Sequence, residues 1–381
     1  MKLVLVGQFY DYSGYGWAVR AYAHMLSKRN DVELFLADIS IEDAKSDQLF
    51  ETDAKFIELA EINNMSGKVI ALHCHLPSMW GSDYPKKENV KKISMIFWET
   101  NRLPYHWMEC LKKYSYDRVL VHSDTHLEEI RQQVFLPIGI VRTPVMDNFR
   151  QIEKSELMPR DKLTFLSVSE WTERKGWEEL ISSYYSEFFI HSDVNLVIKT
   201  YSSTVDVKKI TERVSNLKKQ AGIVSLNNKS FILPKCTLSL IPFKIPEKEM
   251  VSLYHNCDVY ITTTRGEGFG LPIAKAALSG KPLIVPNRGG HNYFVPDSSY
   301  KIQTFTSAIS DNDMPVQFYT NSNMHLFQCD FISIKEQMRR CYNDYKSGKL
   351  SQIGELTRKH VSEFLNSDTC FKILKENLQE L

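Results

Sequence analysis

The chain lacks a charge excess of either sign: 47 basic residues face 46 acidic ones, for a net charge of +1. No global field therefore draws it to nucleic acid or to an anionic membrane. It also lacks any long hydrophobic run. Although 43% of the residues are hydrophobic, the apolar stretches are short and broken by charge, and none would span a bilayer. The apolar start, Met1 to Gly7, ends too early for a signal-peptide core and reads as a first strand. Seven cysteines, at 74, 110, 236, 257, 329, 341 and 370, form no CxxC pair. An odd, unpatterned set excludes a disulfide framework and a zinc site, and suits reduced thiols in a cytoplasmic compartment. No short-period repeat and no low-complexity segment interrupts the chain.

What is present is alternation. Strand-like runs at 3–6, 32–37, 69–73, 94–98 and 118–121 are interleaved with helical patterns, one after Gly16 and one from Asp124. A second set follows at 163–168, 194–199, 231–233, 258–263 and 283–286. Alternating strands and helices predict parallel sheets with helices on both faces. The length suits two domains, 1–150 and 151–350, with a polar linker near 145–162. The last helical pattern, about 356–381, is expected to cross back onto the N-terminal domain.

The most informative stretch is Thr264-Arg265-Gly266-Glu267-Gly268-Phe269-Gly270-Leu271-Pro272-Ile273-Ala274-Lys275. It follows an apolar β-rich run and opens a short helix with Pro272 in its first turn, which Gly280 then stops. A glycine loop between strand and helix lets backbone amides approach a phosphate, and the helix dipole favours its charge. Glu267 is held where it would hydrogen-bond a neutral part of the same ligand. A sugar nucleotide fits. The other reading is a plain strand-to-helix turn with a solvated Glu267.

Glu-Gly-Phe-Gly-Leu-Pro, with a small-residue helix and Gly-Lys-Pro after it, resembles the C-terminal half of retaining GT-B glycosyltransferases of the family four group. The resemblance implies two Rossmann-like domains with a cleft between them and a C-terminal helix crossing back. It implies that Glu267 contacts the transferred sugar, while Gly268, Phe269, Gly270 and Leu271 offer amides to the distal phosphate. The family has a second glutamate eight residues after the first, gripping the ribose diol, where this chain has Lys275. A lysine donates to a ribose oxygen or a phosphate but accepts nothing from a diol.

Three further groups fall at expected strand ends, where open α/β sheets bind ligands. In Tyr12-Ser13-Gly14-Tyr15-Gly16-Trp17, the resemblance places a glycine loop facing the donor, so Gly14 and Gly16 would allow close backbone approach; a tight strand-to-helix turn is the alternative. In His73-Cys74-His75-Leu76-Pro77, His75 matches a histidine that contacts the transferred sugar. A satisfied structural histidine is the competing reading. His73 would share the face of His75 and invites a remoter metal reading, which lacks further ligands because Cys74 is expected on the opposite face. In Ser169-Glu170-Trp171-Thr172-Glu173-Arg174-Lys175-Gly176, the family places a cationic pair on the donor diphosphate, here Arg174 and Lys175. Breaking the sugar–phosphate bond builds negative charge that fixed cations stabilise. Alone, this run would read as a solvated charge cluster.

Softer signals complete the reading. Glu99, Asn101 and Arg102, among the aromatics of 97–107, resemble an acceptor-side segment, with core packing as the alternative. Asp311-Asn312-Asp313 reads as a surface turn rather than a metal motif. Lysine pairs 86–87, 91–92 and 112–113 suggest a basic N-terminal face, which leaves peripheral membrane contact or nucleic acid open. Taken with the resemblance, the expectation is a retaining glycosyltransferase using a UDP- or GDP-linked sugar, with Glu267, Lys175 and His75 catalytic and no metal or cofactor required. The acceptor is open among glycan, lipid, protein and modified nucleic acid. The alternatives are a sugar phosphorylase or sugar-nucleotide epimerase of the same fold, or a non-catalytic sugar-nucleotide-binding protein.

Overall fold

A computed structural model of the chain describes residues 1–11, 13–40, 52–77, 87–145, 162–202, 204–224, 231–311, 313–314 and 323–380. The expected linker at 146–161, Tyr12, Lys86 and Asn312 lie outside the described residues. Two compact units emerge: Met1–Met146 with Thr320–Asn323 and Glu363–Leu381, and Asp147–Tyr319 with Met324–Ser362.

In the first unit the elements run β1 (Lys2–Gly7), α1 (Gly14–Ser27), β2 (Glu33–Asp38), β3 (Lys55–Phe56), β4 (Val69–Cys74), β5 (Val90–Met95), α2 (Tyr105–Lys113), β6 (Arg118–Val121), α3 (Asp124–Ile130) and β7 (Ile138–Ile140). The strands form one parallel sheet in the order β3-β2-β1-β4-β5-β6-β7. Strand alternation divides the core. Leu3, Leu5, Ile70, Leu72 and Ile93 point to one face and pack against Val19, Tyr22 and Leu26 of α1. Val4, Val6, Val69 and Ala71 point to the other. Cys74 belongs to the first of these cores.

In the second unit they run β8 (Leu163–Glu170), α4 (Trp177–Glu187), β9 (Val194–Tyr201), α5 (Val207–Gln220), β10 (Ile223–Val224), β11 (Phe231–Ile232), β12 (Thr237–Ile241), α6 (Glu247–Asn256), β13 (Val259–Ile261), α7 (Leu271–Leu278), β14 (Leu283–Pro286), β15 (Tyr300–Ile302), β16 (Thr304–Ser307), β17 (Leu326–Cys329), α8 (Phe331–Lys346) and α9 (Leu350–Leu365). The main sheet is parallel, in the order β12-β9-β8-β13-β14-β15. The last helix of the chain, α10 (Ser367–Gln379), belongs to the first unit.

Several expectations need correction. The run at 231–233 supplies β11 of a short antiparallel ribbon, and the sheet's edge strand is β12, whose Thr237-Leu238-Ser239-Leu240-Ile241 alternates as a half-covered edge does. The strand expected at 94–98 begins earlier, at Val90. It absorbs the 91–92 lysine pair: Lys92 is 1% exposed and Lys91 reaches Asp117 at 3.4 Å, so neither contributes to a basic face. The single terminal helix is two. Asn366 breaks it, its side chain accepting from the Thr369 amide to cap α10. Leu374 and Leu378 of α10 join the α1 core, and Asn377 donates to the Ile140 carbonyl at 3.0 Å.

Both main sheets share one arrangement. Counted along the chain, their strands lie in the order third, second, first, fourth, fifth, sixth, with a seventh added at the end of the first sheet, so the winding reverses between β1 and β4 and between β8 and β13. Ligands of open α/β sheets bind beyond the carboxyl ends of strands at such reversals.

Candidate functional site

The reversal in the second unit gathers the strongest sequence signals. Beyond β8, Trp171 and Trp177 stack at 4.0 Å between ring centroids and close a loop around the one-turn 3-10 helix Glu173–Lys175. The Trp171 amide also donates to the Tyr201 carbonyl at 2.8 Å, pinning the loop to the end of β9. Gly176 then starts α4 with φ +64°; a Cβ there would sit 2.2 Å from the Thr263 carbonyl oxygen. Only glycine lets the two loops come this close. The result is that Lys175 reaches across: its Nζ lies 2.7 Å from Glu267 Oε2. Arg174 donates to the Gly266 carbonyl at 2.8 Å, and its own carbonyl accepts from the Arg265 amide at 2.7 Å.

Beyond β13 the glycine loop is held from its other side as well. The Glu267 carbonyl accepts from the Gly290 amide at 2.7 Å, and Gly270 turns into α7 at φ +89° with no side-chain cap. Phe269 is buried, its ring packed against that of Phe294 at 5.1 Å between centroids. Burial pushes the Glu267 carboxyl up, but Lys175, Arg174 and His291 outweigh it and hold it below the ordinary carboxylate value. An ionised acid beside two cations therefore stands at the reversal. Gly289, Gly290 and His291 were not identified from the sequence, though a Gly-Gly pair three residues past the end of β14 was the available signal.

Lys275 is placed differently from the rest. Its ammonium is buried in α7 and donates to Glu247 Oε1 of α6 at 2.8 Å, while the Glu247 side chain stays half exposed. Asp313 also departs from expectation: it is 3% exposed, not a surface residue, and pairs with Arg265. Asp311 is exposed.

In the first unit, Gly14 and Gly16 open α1 beyond β1. Ser13 caps the Gly16 amide at 3.2 Å, and a Cβ on Gly16 would meet the Asp11 carbonyl oxygen at 2.2 Å, while one on Gly14 meets nothing. So Gly16 serves packing and Gly14 borders open space. His73, near the end of β4, and His75, just beyond it, are both buried, with His73 Nδ1 and His75 Nε2 3.1 Å apart. Burial drives His75 down to about 4 and His73 in the same direction, so both rings are neutral at pH 7. Glu99, Asn101 and Arg102 lie in the loop between β5 and α2. Trp98 ties that loop by donating to Thr100 Oγ1 at 2.7 Å and to the Arg102 carbonyl at 2.5 Å, and it packs on Trp107. The two tryptophans are core. The Tyr15 hydroxyl joins this loop to α1 through the Phe97 carbonyl at 2.8 Å. Among the described residues no cluster of three histidine, cysteine or acidic side chains is arranged for a metal ion, and no helix is long and apolar enough to cross a membrane.

Comparison with known proteins locates the same region. Residues 148–304 match the family model described as glycosyl transferases group 1. No curated protein matches the chain in sequence. Among solved structures the chain is similar to sucrose-phosphate synthase from Thermosynechococcus elongatus, with 13% identity and a TM-score of 0.68 over 100% of this chain and 98% of that one. It is similar to the pneumococcal O-GlcNAc transferase GtfA in complex with UDP and GlcNAc, with 10% identity and a TM-score of 0.62 over 100% and 99%. Against a mutant of S. aureus TarM in complex with fondaparinux, alpha-GlcNAc-glycerol and UDP, identity is 12% and the TM-score 0.54. That match covers 81% of this chain and 55% of TarM, so the chain spans about half the TarM length. Residues 148–304 thus carry a glycosyl transferases group 1 match, within a chain whose two parallel-sheet units have the GT-B architecture.

Proposed function

We propose that this protein transfers a sugar from a nucleoside-diphosphate donor, UDP- or GDP-linked, to an acceptor hydroxyl with retention of anomeric configuration and without an essential metal. The observation that carries this reading is the Lys175–Glu267 contact of 2.7 Å at the sheet reversal, within the segment matching glycosyl transferases group 1. An acid that is ionised yet paired is built to exchange its partner. When a donor enters, the Lys175 ammonium turns to the leaving phosphate and Glu267 is released to the sugar hydroxyls. Arg174 and the amides of Gly268, Phe269, Gly270 and Leu271 complete the phosphate's surroundings. Charge that develops on the phosphate as the glycosidic bond breaks is stabilised by groups already in position.

In this reading the ribose diol, which needs an acceptor, is met by Glu247 rather than by a glutamate on α7. Lys275 holds the Glu247 carboxylate at 2.8 Å and leaves it half exposed. Gly14, His75, Glu99, Asn101 and Arg102 of the first unit are assigned to the sugar and acceptor. His75, neutral at pH 7, would act there as a hydrogen-bonding group, not as an acid. The cysteines of the described structure are free thiols, which supports a reducing, cytoplasmic compartment. Thermal stabilisation by UDP, GDP and ADP, followed by turnover of the matching sugar donors with chelator present and anomer analysis of the product, tests the whole reading. A protein that no nucleotide stabilises, and that consumes no donor, overturns it.

A further inference from the structure

At the carboxyl end of β9 lies a cation that the donor site described above does not use. Lys199 is 4% exposed. It is paired in register with Val168 of β8 on one side and Ile241 of β12 on the other, neither of which titrates. Its Nζ donates to the Thr200 carbonyl at 3.0 Å and lies 5.9 Å from the Tyr201 ring. An ammonium has three donors, and among the described residues no carboxylate stands within ion-pair distance of this one. Burial alone pulls it down to about 8. An apolar side chain at this position would avoid the cost of burying a charge without a counterion. Yet the group sits at the ligand-binding edge of the sheet, one strand, or about 4.8 Å, from β8. The end of β9 is also bonded to the Arg174–Lys175 loop, through the Trp171 amide and the Tyr201 carbonyl at 2.8 Å.

We propose that Lys199 receives the nucleotide-side phosphate of the donor, while Arg174 and Lys175 serve the sugar-side phosphate. The inference rests on the donor reading given under Proposed function. The phosphate supplies the missing counter-charge, so the ammonium is costly in the free protein and satisfied in the complex. Binding above pH 8 therefore draws a proton onto Lys199, since the phosphate raises its affinity for one.

The test uses the full chain and its Lys199→Met and Lys199→Gln variants. Calorimetry with UDP, GDP and ADP identifies the diphosphate that wild type binds; its monophosphate and nucleoside are then titrated at pH 8.5 in buffers of different ionisation enthalpy. Both variants should weaken the diphosphate and the monophosphate by roughly 10- to 100-fold and leave the nucleoside unchanged. They should also abolish a proton uptake seen in wild type, and free Lys199→Met should melt above wild type. Unchanged diphosphate affinity in both variants, or equal losses for the bare nucleoside, overturns the assignment while leaving the donor site standing. Wild type that binds no nucleotide overturns the donor reading itself, and this inference with it.

Discussion

Arg265 and Asp313, 48 residues apart, form the buried ion pair that anchors the glycine loop, with Nη1 2.5 Å from Oδ1. The second terminal nitrogen, Nη2, donates to Ser307 Oγ at 2.8 Å and to the Ala308 carbonyl at 3.0 Å. The Arg265 backbone meanwhile bonds Arg174 on one side and Phe327 on the other. One residue thus binds together the cationic loop, the acidic loop and the β16–β17 hairpin. Removing Asp313 strands a buried guanidinium. Asp313→Ala should lower unfolding stability by about 3 kcal/mol, read as a fall in the urea midpoint with an unchanged slope. An effect within error would show that the pair does not anchor the loop.

Lys175 should matter to the reaction more than to the fold. Lys175→Ala is expected to cost about 2–4 kcal/mol of transition-state stabilisation, measured as kcat/KM once a donor is identified. Wild-type turnover in that variant removes Lys175 from the site.

The same pair fixes an acid dependence. Glu267 is held below its ordinary value of 4.5, so the native state resists protonating it and the unfolded chain does not. Its stabilising contribution is present above pH 4.5 and is lost as pH falls below that toward the native value. Unfolding measured from pH 5 down to 3 should show this loss in wild type and a shallower one in Lys175→Met. Parallel curves for the two proteins would contradict the coupling.

His75 predicts a second window with its own sign. Its value falls from 6.5 to about 4 on burial, so between those limits the unfolded chain binds more protons and acid favours unfolding. Stability should drop by roughly 3 kcal/mol as pH goes from 6.5 to 4. His75→Gln should flatten that slope, and with His75 neutral the activity should show no histidine limb between pH 6 and 8. A titration seen by NMR near 6.5 for this ring would refute both.

Glu247 offers a more selective probe. Glu247→Gln should weaken nucleoside diphosphates several-fold, on the order of 1–2 kcal/mol for a charged hydrogen bond, yet leave a dideoxy analogue untouched. Equal losses for the two ligands would mean the carboxylate serves only to hold Lys275.

Particular residues show where sequence reasoning succeeds. The Arg174-Lys175-Gly176 and Glu267 to Gly270 segments were legible because each is local chemistry: a turn residue at a fixed offset from an apolar run. Strand β12 was missed because it is a short edge strand of five residues that is only partly buried along most of its length. Strand β5 was displaced because Lys91 and Lys92 look solvated, and only Asp117, which bonds Lys91 and the Lys92 amide, explains their place in a sheet. Asp313 looked like a turn residue because Arg265, its reason for burial, lies far away in sequence.

The order of residues alone thus determined the alternating architecture and the two strand-to-helix loops at Arg174-Lys175-Gly176 and Glu267 to Gly270, since periodicity and turn chemistry act over a few residues. Tertiary structure decided which charges meet: Lys175 with Glu267, Lys275 with Glu247, Arg265 with Asp313, and Lys199 with no carboxylate among the described residues. Burial and Coulomb attraction depend on distance through space, and that distance exists only once the strands have paired.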